Sequence, residues 1–229
     1  MAMNGRVLVW DLPTRLFHWL LVLSLAGSWW TAEAGIEWMD WHFRLGYFAG
    51  GLILFRLIWG LVGTRHARFS SFLKGPIATA KYAATLFSRE SKSTSGHNPL
   101  GGLVVLIILI AVGIQVGTGL FATDDIFTTG PFYPWVDDKT ASELTSIHHL
   151  NFDILLIIAA LHIAAVLFYL IWKRRNLIWP MIIGSKPTEE ADEAIETLAF
   201  VRGLVIALIV AGAVAYVVSL APEVVDEFY

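Results

Sequence analysis

The sequence predicts an all-α integral membrane protein, and three observations carry this prediction. The chain has 229 residues, of which 56% are hydrophobic and only 15% are charged, whereas soluble domains usually carry about 25% charged residues. Five apolar stretches are long enough to span a bilayer, at residues 16–31, 43–62, 100–121, 150–172 and 200–220. Several of the ten tryptophans lie near the ends of these stretches, as in the aromatic belts of membrane proteins.

The first stretch is short, but Leu12 and Pro13 can open its helix one turn earlier, because proline is tolerated in the first turn. Tryptophans at 19, 29 and 30 crowd the region where a removable signal would have its cleavage site. We therefore expect a retained first helix.

Basic residues indicate the orientation, because they concentrate in cytoplasmic loops. They precede the first span, fill the loop between the second and third spans, and follow the fourth. The opposite side carries Lys139 among many acids. The pattern predicts a cytoplasmic N-terminus and an external C-terminus with Glu223, Asp226 and Glu227.

The loops divide the chain without forming soluble domains. We expect a flexible tether at "SRESKSTSGHNP", an aromatic segment at residues 123–145 that caps the outer mouth of the bundle, and a short cytoplasmic helix within "SKPTEEADEAIETLAF". The division is residues 1–180 for the main bundle and 181–229 for the acidic segment, the fifth helix and the tail. The basic residues are explained by topology, so nothing indicates nucleic-acid binding. The chain has no cysteine, which excludes iron–sulfur clusters and covalently attached haem.

Two histidines on the fourth span give the main functional signal. His148 and His162 are fourteen residues apart, which is about 40° short of four helical turns and a rise of about 21 Å. Both rings therefore face one side, one near each edge of a hydrocarbon layer about 30 Å thick. His149 is turned about 140° from His162, so we expect it at the surface or against a neighbouring loop.

Two further histidines match these heights. His18 lies near the cytoplasmic end of the first span and His42 near the outer end of the second. The pattern pairs His42 with His148 outside and His18 with His162 inside. Paired imidazoles on facing helices are typical of six-coordinate haem iron used for electron transfer. The sequence thus predicts a four-helix di-haem bundle plus a fifth helix, with the four histidines as axial ligands of two non-covalent haems.

Three other residues have two interpretations each. Arg56 lies fourteen residues after His42, and its guanidinium can pair with a haem propionate or reach the cytoplasmic interface. Arg44 can pair with an outer propionate or anchor its helix. His97 can contact a propionate or accept a proton from a quinol, or it can cap the next helix together with Asn98.

Four motifs carry a resemblance to a known family: "WDLPTRLFHW", "HFRLGYFAGGLILFRLIWGLVGTRHARF", "GHNPLGG" and "IHHLNFDILLIIAALHIAAVL". Together they resemble the bacterial cytochrome b561 group, which includes the b-type cytochrome subunits of nickel–iron hydrogenases. The resemblance covers about residues 7–180. It implies a cytochrome of the bacterial inner membrane with two haem b groups, whose ligands fall on His18, His42, His148 and His162.

The resemblance also implies electron transfer between membrane quinone and a redox partner outside the cytoplasmic face, either a periplasmic c-type cytochrome or a hydrogenase-like subunit. Two features depart from the family pattern: His149 replaces an acidic neighbour of His148, and the fifth helix with its tail lies beyond the four-helix core. We expect that helix to pack on the bundle and help dock a partner or a second copy of the chain. Rival functions are a stand-alone oxidoreductase that passes electrons from superoxide or another small reductant to quinone, and a metal-ion transporter. A metal-ion transporter would need acidic residues and broken helices at mid-membrane, and neither is evident in the sequence.

Overall fold

The computed structural model describes residues 6–88, 96–187 and 198–222. Within these ranges the chain forms eight α-helices: α1 Leu12–Glu33, α2 Met39–Val62, α3 Phe69–Phe72, α4 Pro76–Ala84, α5 Pro99–Gly119, α6 Asp138–Ile171, α7 Ile178–Ile183 and α8 Ala199–Ser219. The same ranges contain two short strands, β1 Arg6–Leu8 and β2 Ser185–Pro187, and two short 3-10 helices, Ile36–Trp38 and Tyr133–Trp135.

Four helical segments are long and apolar enough to cross a membrane: Ile36–Val62, which includes α2, then α5, α6 and α8. The remaining predicted span corresponds to α1, which is long enough at 22 residues but less apolar. Its sequence contains Arg15, His18 and three tryptophans, residue types that favour the membrane interface over the hydrocarbon core.

The start of α1 follows the predicted extension. The helix begins at Leu12, and Pro13 lies in its first turn. The carboxylate of Asp11 caps the helix by accepting the backbone N–H of Thr14 at 2.6 Å.

Helix α6 is longer than its apolar stretch. It begins at Asp138, with Asp137 as its N-cap, so the expectation that residues 123–145 form a loop throughout was wrong for residues 138–145. The 34 residues of α6 span about 51 Å, which exceeds the hydrocarbon thickness of about 30 Å. The polar first turns of α6 therefore extend beyond the membrane core.

One short antiparallel pair of strands adds to the mostly helical fold. Strands β1 and β2 pair antiparallel, with Val7 opposite Lys186. Backbone N–H groups of Val9 and Trp10 continue this contact by donating to the carbonyl of Gly184 at 2.9 and 3.0 Å. Ser185–Pro187 is therefore a strand, and the rest of the predicted cytoplasmic helix lies mostly outside the described residues. Most of the predicted tether and the acidic tail also lie outside them.

The bundle is held by packing between neighbouring helices. Helix α1 packs on α2, α5 packs on both α2 and α6, and α8 packs on α2 and α1. The core centres on Trp59 and Val112, which have no exposed surface. Gly51 and Gly203 let α8 approach the bundle closely, since an added Cβ on Gly203 would lie 2.7 Å from Pro13. The fifth helix therefore packs on the bundle, as expected.

Candidate functional site

The first pair of histidines meets across the bundle. His42 lies in the second turn of α2 and His148 ten residues into α6. Their ring centroids are 6.2 Å apart and their planes make an angle of 73°. Metal–imidazole bonds are about 2.0–2.1 Å long, so two rings on opposite sides of one metal ion have centroids about 6 Å apart. The spacing of this pair, called the outer pair after its predicted position, therefore fits two ligands of one haem iron.

Hydrogen bonds orient both rings of the outer pair. His42 Nδ1 lies 2.9 Å from the carbonyl oxygen of Ser28. His148 Nδ1 lies 3.0 Å from the carbonyl oxygen of Gln115 and 3.2 Å from Thr118 Oγ1. A carbonyl oxygen can only accept, so Nδ1 carries the proton in both rings. Each Nε2 then keeps the lone pair that a metal ion requires.

A side-chain network reaches the same nitrogen of His148. Gln115 Nε2 donates to His148 Nε2 at 3.0 Å, and the buried Asn151 donates to Gln115 Oε1 at 2.7 Å and to the carbonyl of Ala111 at 2.9 Å. The Gln115 amide thus competes with a metal ion for the lone pair of His148. Sequence reasoning missed this network. Its signal was spacing, because His148 and Asn151 are three residues apart and therefore share a helix face.

His149 points away from this network. Its side chain is exposed, whereas that of His148 is partly buried. Only His148 is brought within reach of His42.

The second pair lies toward the opposite end of the bundle. His18 is on α1 and His162 on α6, and the two rings are close enough to interact electrostatically. His18 Nδ1 is buried and has no hydrogen-bond partner. Its ring contacts Trp19 edge to face, with centroids 4.9 Å apart. A buried imidazole nitrogen without a hydrogen-bond partner costs free energy. An imidazole that ligates iron uses one nitrogen for the metal and offers the other to a second partner, so iron ligation would be compatible with this arrangement.

Arg56 lies near this inner pair and is only 2% exposed. Its guanidinium lies over three aromatic rings, at 6.0 Å from Phe17, 4.9 Å from Phe69 and 5.8 Å from Phe72. Its Nη1 atom is buried and has no hydrogen-bond partner. A buried cation of this kind is normally paired with an anion, and a haem propionate fits that requirement.

His97, just before α5, is buried between Trp10 and Phe72, with ring centroids 4.7 and 4.6 Å away. Burial, together with the positive charge of the nearby Arg56, lowers the pKa of His97 from 6.5 to about 3. The ring is therefore neutral at physiological pH and can take part in hydrogen bonds without carrying charge. Its Nδ1 atom is buried without a partner. Asn98 caps α5 by accepting the N–H of Gly101 at 2.7 Å, so the cap does not involve His97 Nδ1.

Arg44 differs from Arg56. It is exposed, and its guanidinium lies 5.2 Å from the ring centroid of Trp41. The structure places it at the surface of α2 beside Trp41.

Glycines near the histidine pair differ in the space beside them. An added Cβ on Gly46, one turn after His42 on α2, would have no neighbouring atom within 4 Å. In contrast, an added Cβ on Gly119 would lie 2.9 Å from His148 Cε1. The site thus has open space on the His42 side and a closely packed ring on the His148 side.

Comparison with known proteins identifies the family. The model of the family described as prokaryotic cytochrome b561 matches residues 9–184. Proteins described as probable Ni/Fe-hydrogenase B-type cytochrome subunits are similar over most of their length. The one from Rhodobacter capsulatus is 25% identical over 225 residues, covering 83% of this chain and 84% of its own. The one from Bradyrhizobium diazoefficiens is 25% identical over 212 residues, covering 79% and 85%.

The corresponding protein of Rhizobium leguminosarum bv. viciae is 22% identical over 223 residues, covering 82% of this chain and 91% of its own. No solved structure matches the chain. The family match extends from Val9, just before α1, to Gly184, just after α7, and so includes all four histidines of the two pairs. The chain therefore belongs to the prokaryotic cytochrome b561 family, as a multi-pass bacterial membrane protein that carries haem b and takes part in transmembrane electron transfer.

Proposed function

We propose that the chain holds two haem b groups at different depths and passes electrons between the membrane quinone pool and a redox partner. His42 and His148 are the axial ligands of the outer haem, and His18 and His162 those of the inner haem. The observation that carries the proposal is the 6.2 Å spacing of the outer rings, combined with Nδ1 hydrogen bonds that leave the lone pairs on Nε2. At His148 iron would displace the Gln115 amide from that lone pair.

The inner site is supported by its unpartnered polar atoms. His18 Nδ1, Arg56 Nη1 and His97 Nδ1 are all buried without a hydrogen-bond partner. Arg56 supplies a positive charge for an inner propionate, and the neutral His97 supplies a hydrogen bond to a propionate or to a quinone. Arg44 is the candidate for an outer propionate, for which it would have to leave the ring of Trp41. Haem supplies reversible one-electron chemistry at both sites.

Five spans and the bacterial inner membrane belong to the same proposal. Helix α1 crosses as the first span despite its interfacial residues, since it packs along α2. With the N-terminus in the cytoplasm, α8 ends on the periplasmic side. The long polar start of α6 then projects into the periplasm, beside the outer haem.

The partner is proposed from the relatives, which are described as probable hydrogenase cytochrome subunits. A hydrogenase-like protein or a c-type cytochrome at the outer face would exchange electrons with the outer haem, and quinone would exchange them with the protein inside the membrane. Helix α8 provides a surface for such a partner or for a second copy of the chain.

Haem quantification tests the proposal directly. The purified protein should contain two haem b per chain by pyridine haemochrome assay, with a b-type reduced-minus-oxidised spectrum. His148→Ala should lose one haem and retain the other, whereas the matched variant His149→Ala should keep both. A wild-type protein without haem b would overturn the function, and loss of haem from His149→Ala alone would overturn the ligand assignment.

A further inference from the structure

A groove lies between α4 and the first turns of α5. Its volume is about 400 Å³, and the residues that line it are Lys74, Pro76, Thr79, Ala80, Ala83 and Leu103. Ligand sites commonly have volumes of about 300–1,000 Å³. Positions 76, 79, 80 and 83 share one face of α4 by helical spacing, and the small alanines on this face leave the groove open.

Three hydrogen bonds fix the position of α4 relative to α5 and α6. The hydroxyl of Tyr82 on α4 lies 2.7 Å from that of Tyr169 on α6. Asn98, the N-cap of α5, donates to the same Tyr169 hydroxyl at 3.0 Å. Just beyond α4, the carbonyl of Ser88 accepts from Lys173 Nζ at 2.8 Å. Closing the groove by moving α4 would break these bonds, so the groove is a stable feature of the fold.

The walls of the groove and the surface around it favour hydrocarbon. Ile77 and Phe87 are each 72% exposed, and exposed apolar side chains beside membrane-spanning helices are typical of contact with lipid. Of the six described residues that line the groove, only Lys74 and Thr79 carry polar side-chain atoms. The Thr79 hydroxyl donates to the carbonyl of Gly75 at 3.2 Å, so its single hydrogen is used within the helix. The interior of the groove therefore accepts an apolar chain.

The charge around the groove favours an anionic head group. Residues 63–88 contain four cations and no acidic residue; the cations are Arg65, Arg68, Lys74 and Lys81. Lys74 is exposed and lines the groove, so its methylene groups can lie along the apolar wall while its ammonium group reaches a phosphate. Basic pockets between membrane helices commonly bind anionic lipid head groups. An uncharged quinone head would gain nothing from Lys74.

We propose that this groove binds one anionic phospholipid, with an acyl chain against the alanine face of α4 and the phosphate at Lys74. The lipid fills the space that the alanines leave and joins α4 to α5. This site lies at the end of the bundle that holds His18 and His162, because Tyr169 is two turns after His162 on α6. The inference is independent of the haem ligands, so it stands or falls separately from the proposed function.

Native mass spectrometry of the haem-loaded protein tests the head group. The protein is mixed with equal amounts of dioleoyl phosphatidylglycerol and dioleoyl phosphatidylcholine, which have the same acyl chains. The wild type should retain one phosphatidylglycerol per chain in preference to phosphatidylcholine. Lys74→Gln should reduce this preference about fivefold. Lys139→Gln removes an exposed lysine from the first turn of α6 and should leave the preference unchanged.

A second pair of variants tests the groove itself. Ala80→Phe places a ring in the groove and should abolish retention of the lipid. Ala78→Phe adds the same ring on the exposed, roughly opposite face of α4 and should retain it. Haem content equal to that of the wild type shows that each variant is folded. In the wild type, added phosphatidylglycerol should raise the thermal transition by a few degrees, and Ala80→Phe should lose this shift.

Four outcomes would overturn the proposal. The first is equal retention of the two lipids by the wild type, and the second is unchanged retention in Ala80→Phe. Displacement of the lipid by decylubiquinone would make the groove a quinone site instead. Displacement by glycerophosphoglycerol, which has the head group without acyl chains, would show that the site binds a free phosphate compound and not a lipid.

Discussion

Trp59, near the end of α2, donates its indole N–H to the carboxylate of Asp11 at 3.2 Å, directly before the first residue of α1. Trp59 has no exposed surface and Asp11 is 2% exposed. The same carboxylate caps α1 and accepts from Thr64. One buried acid therefore joins the start of the first helix to the end of the second, close to the proposed inner haem.

Asp11→Asn should destabilise the protein by about 1–3 kcal/mol, because its amide NH₂ replaces an oxygen that accepts from Trp59 and Thr64. The measurement is the thermal transition of the detergent-solubilised protein, followed by tryptophan fluorescence. Asp153→Asn, at an exposed position on α6, is the control and should leave the transition unchanged. Equal transitions for both variants would show that the Asp11 network contributes nothing.

Gly119→Ala should displace His148, because the new Cβ would lie 2.9 Å from its ring. The outer haem should then bind more weakly or show a changed spectrum, while the inner haem is retained. Haem content and low-temperature absorption spectra measure this. Gly212→Ala, where no atom lies within 4 Å of the added group, should behave as the wild type. A Gly119→Ala protein with normal outer haem would mean that the ring tolerates displacement.

His97 should make the protein sensitive to acid. Its pKa in the folded protein is about 3, below the ordinary value near 6.5 for an unfolded chain. Its contribution to stability is therefore fully present above about pH 6.5 and is lost as the pH falls toward 3. His97→Phe, which keeps an aromatic ring between Trp10 and Phe72, should lose less stability over this range.

Tryptophan fluorescence against pH measures that difference, since Trp10 contacts the His97 ring. His149→Phe, at an exposed position, provides the control and should follow the wild-type acid curve. Superimposable curves for wild type and His97→Phe would contradict the prediction.

The proposed topology can be tested with single cysteines, because the natural chain has none. Lys139→Cys in the first turn of α6 and Lys81→Cys in α4 are matched replacements of exposed lysines. A membrane-impermeant maleimide added to intact spheroplasts should label the first and not the second. Lysis should make both reactive. The reverse pattern in intact cells would invert the orientation and move the outer haem to the cytoplasmic side.

The main helices were predictable from sequence because each one needs a long apolar stretch. Predicted and observed ends of α5 differ by one or two residues, and Asp11 and Pro13 account for the start of α1. The start of α6 was not predictable from hydropathy, since residues 138–147 are mostly polar and their helix lies beyond the membrane core. The short helices α3, α4 and α7 carry too few residues for a periodic pattern.

Sequence predicts the parts of the site that depend on one helix better than the contacts between helices. Helical spacing separates His148 from His149, because it depends on one helix alone. The contacts of Gln115 with His148 and Asn151 join two helices whose relative rotation a single sequence does not give. The two acceptors on His148 Nδ1 could not be anticipated for the same reason.

The antiparallel pair of strands constrains the order in which the molecule can be completed during synthesis. Strand β1 precedes the first helix, but its partner β2 follows α7, close to 180 residues later. Arg15 and Trp19 likewise donate to the carbonyls of Ile182 and Met181. The ribosome must therefore deliver α6 and α7 before the N-terminal segment can pair. Contacts this far apart in sequence form late, so the inner end around His18 is completed only after most of the chain has entered the membrane.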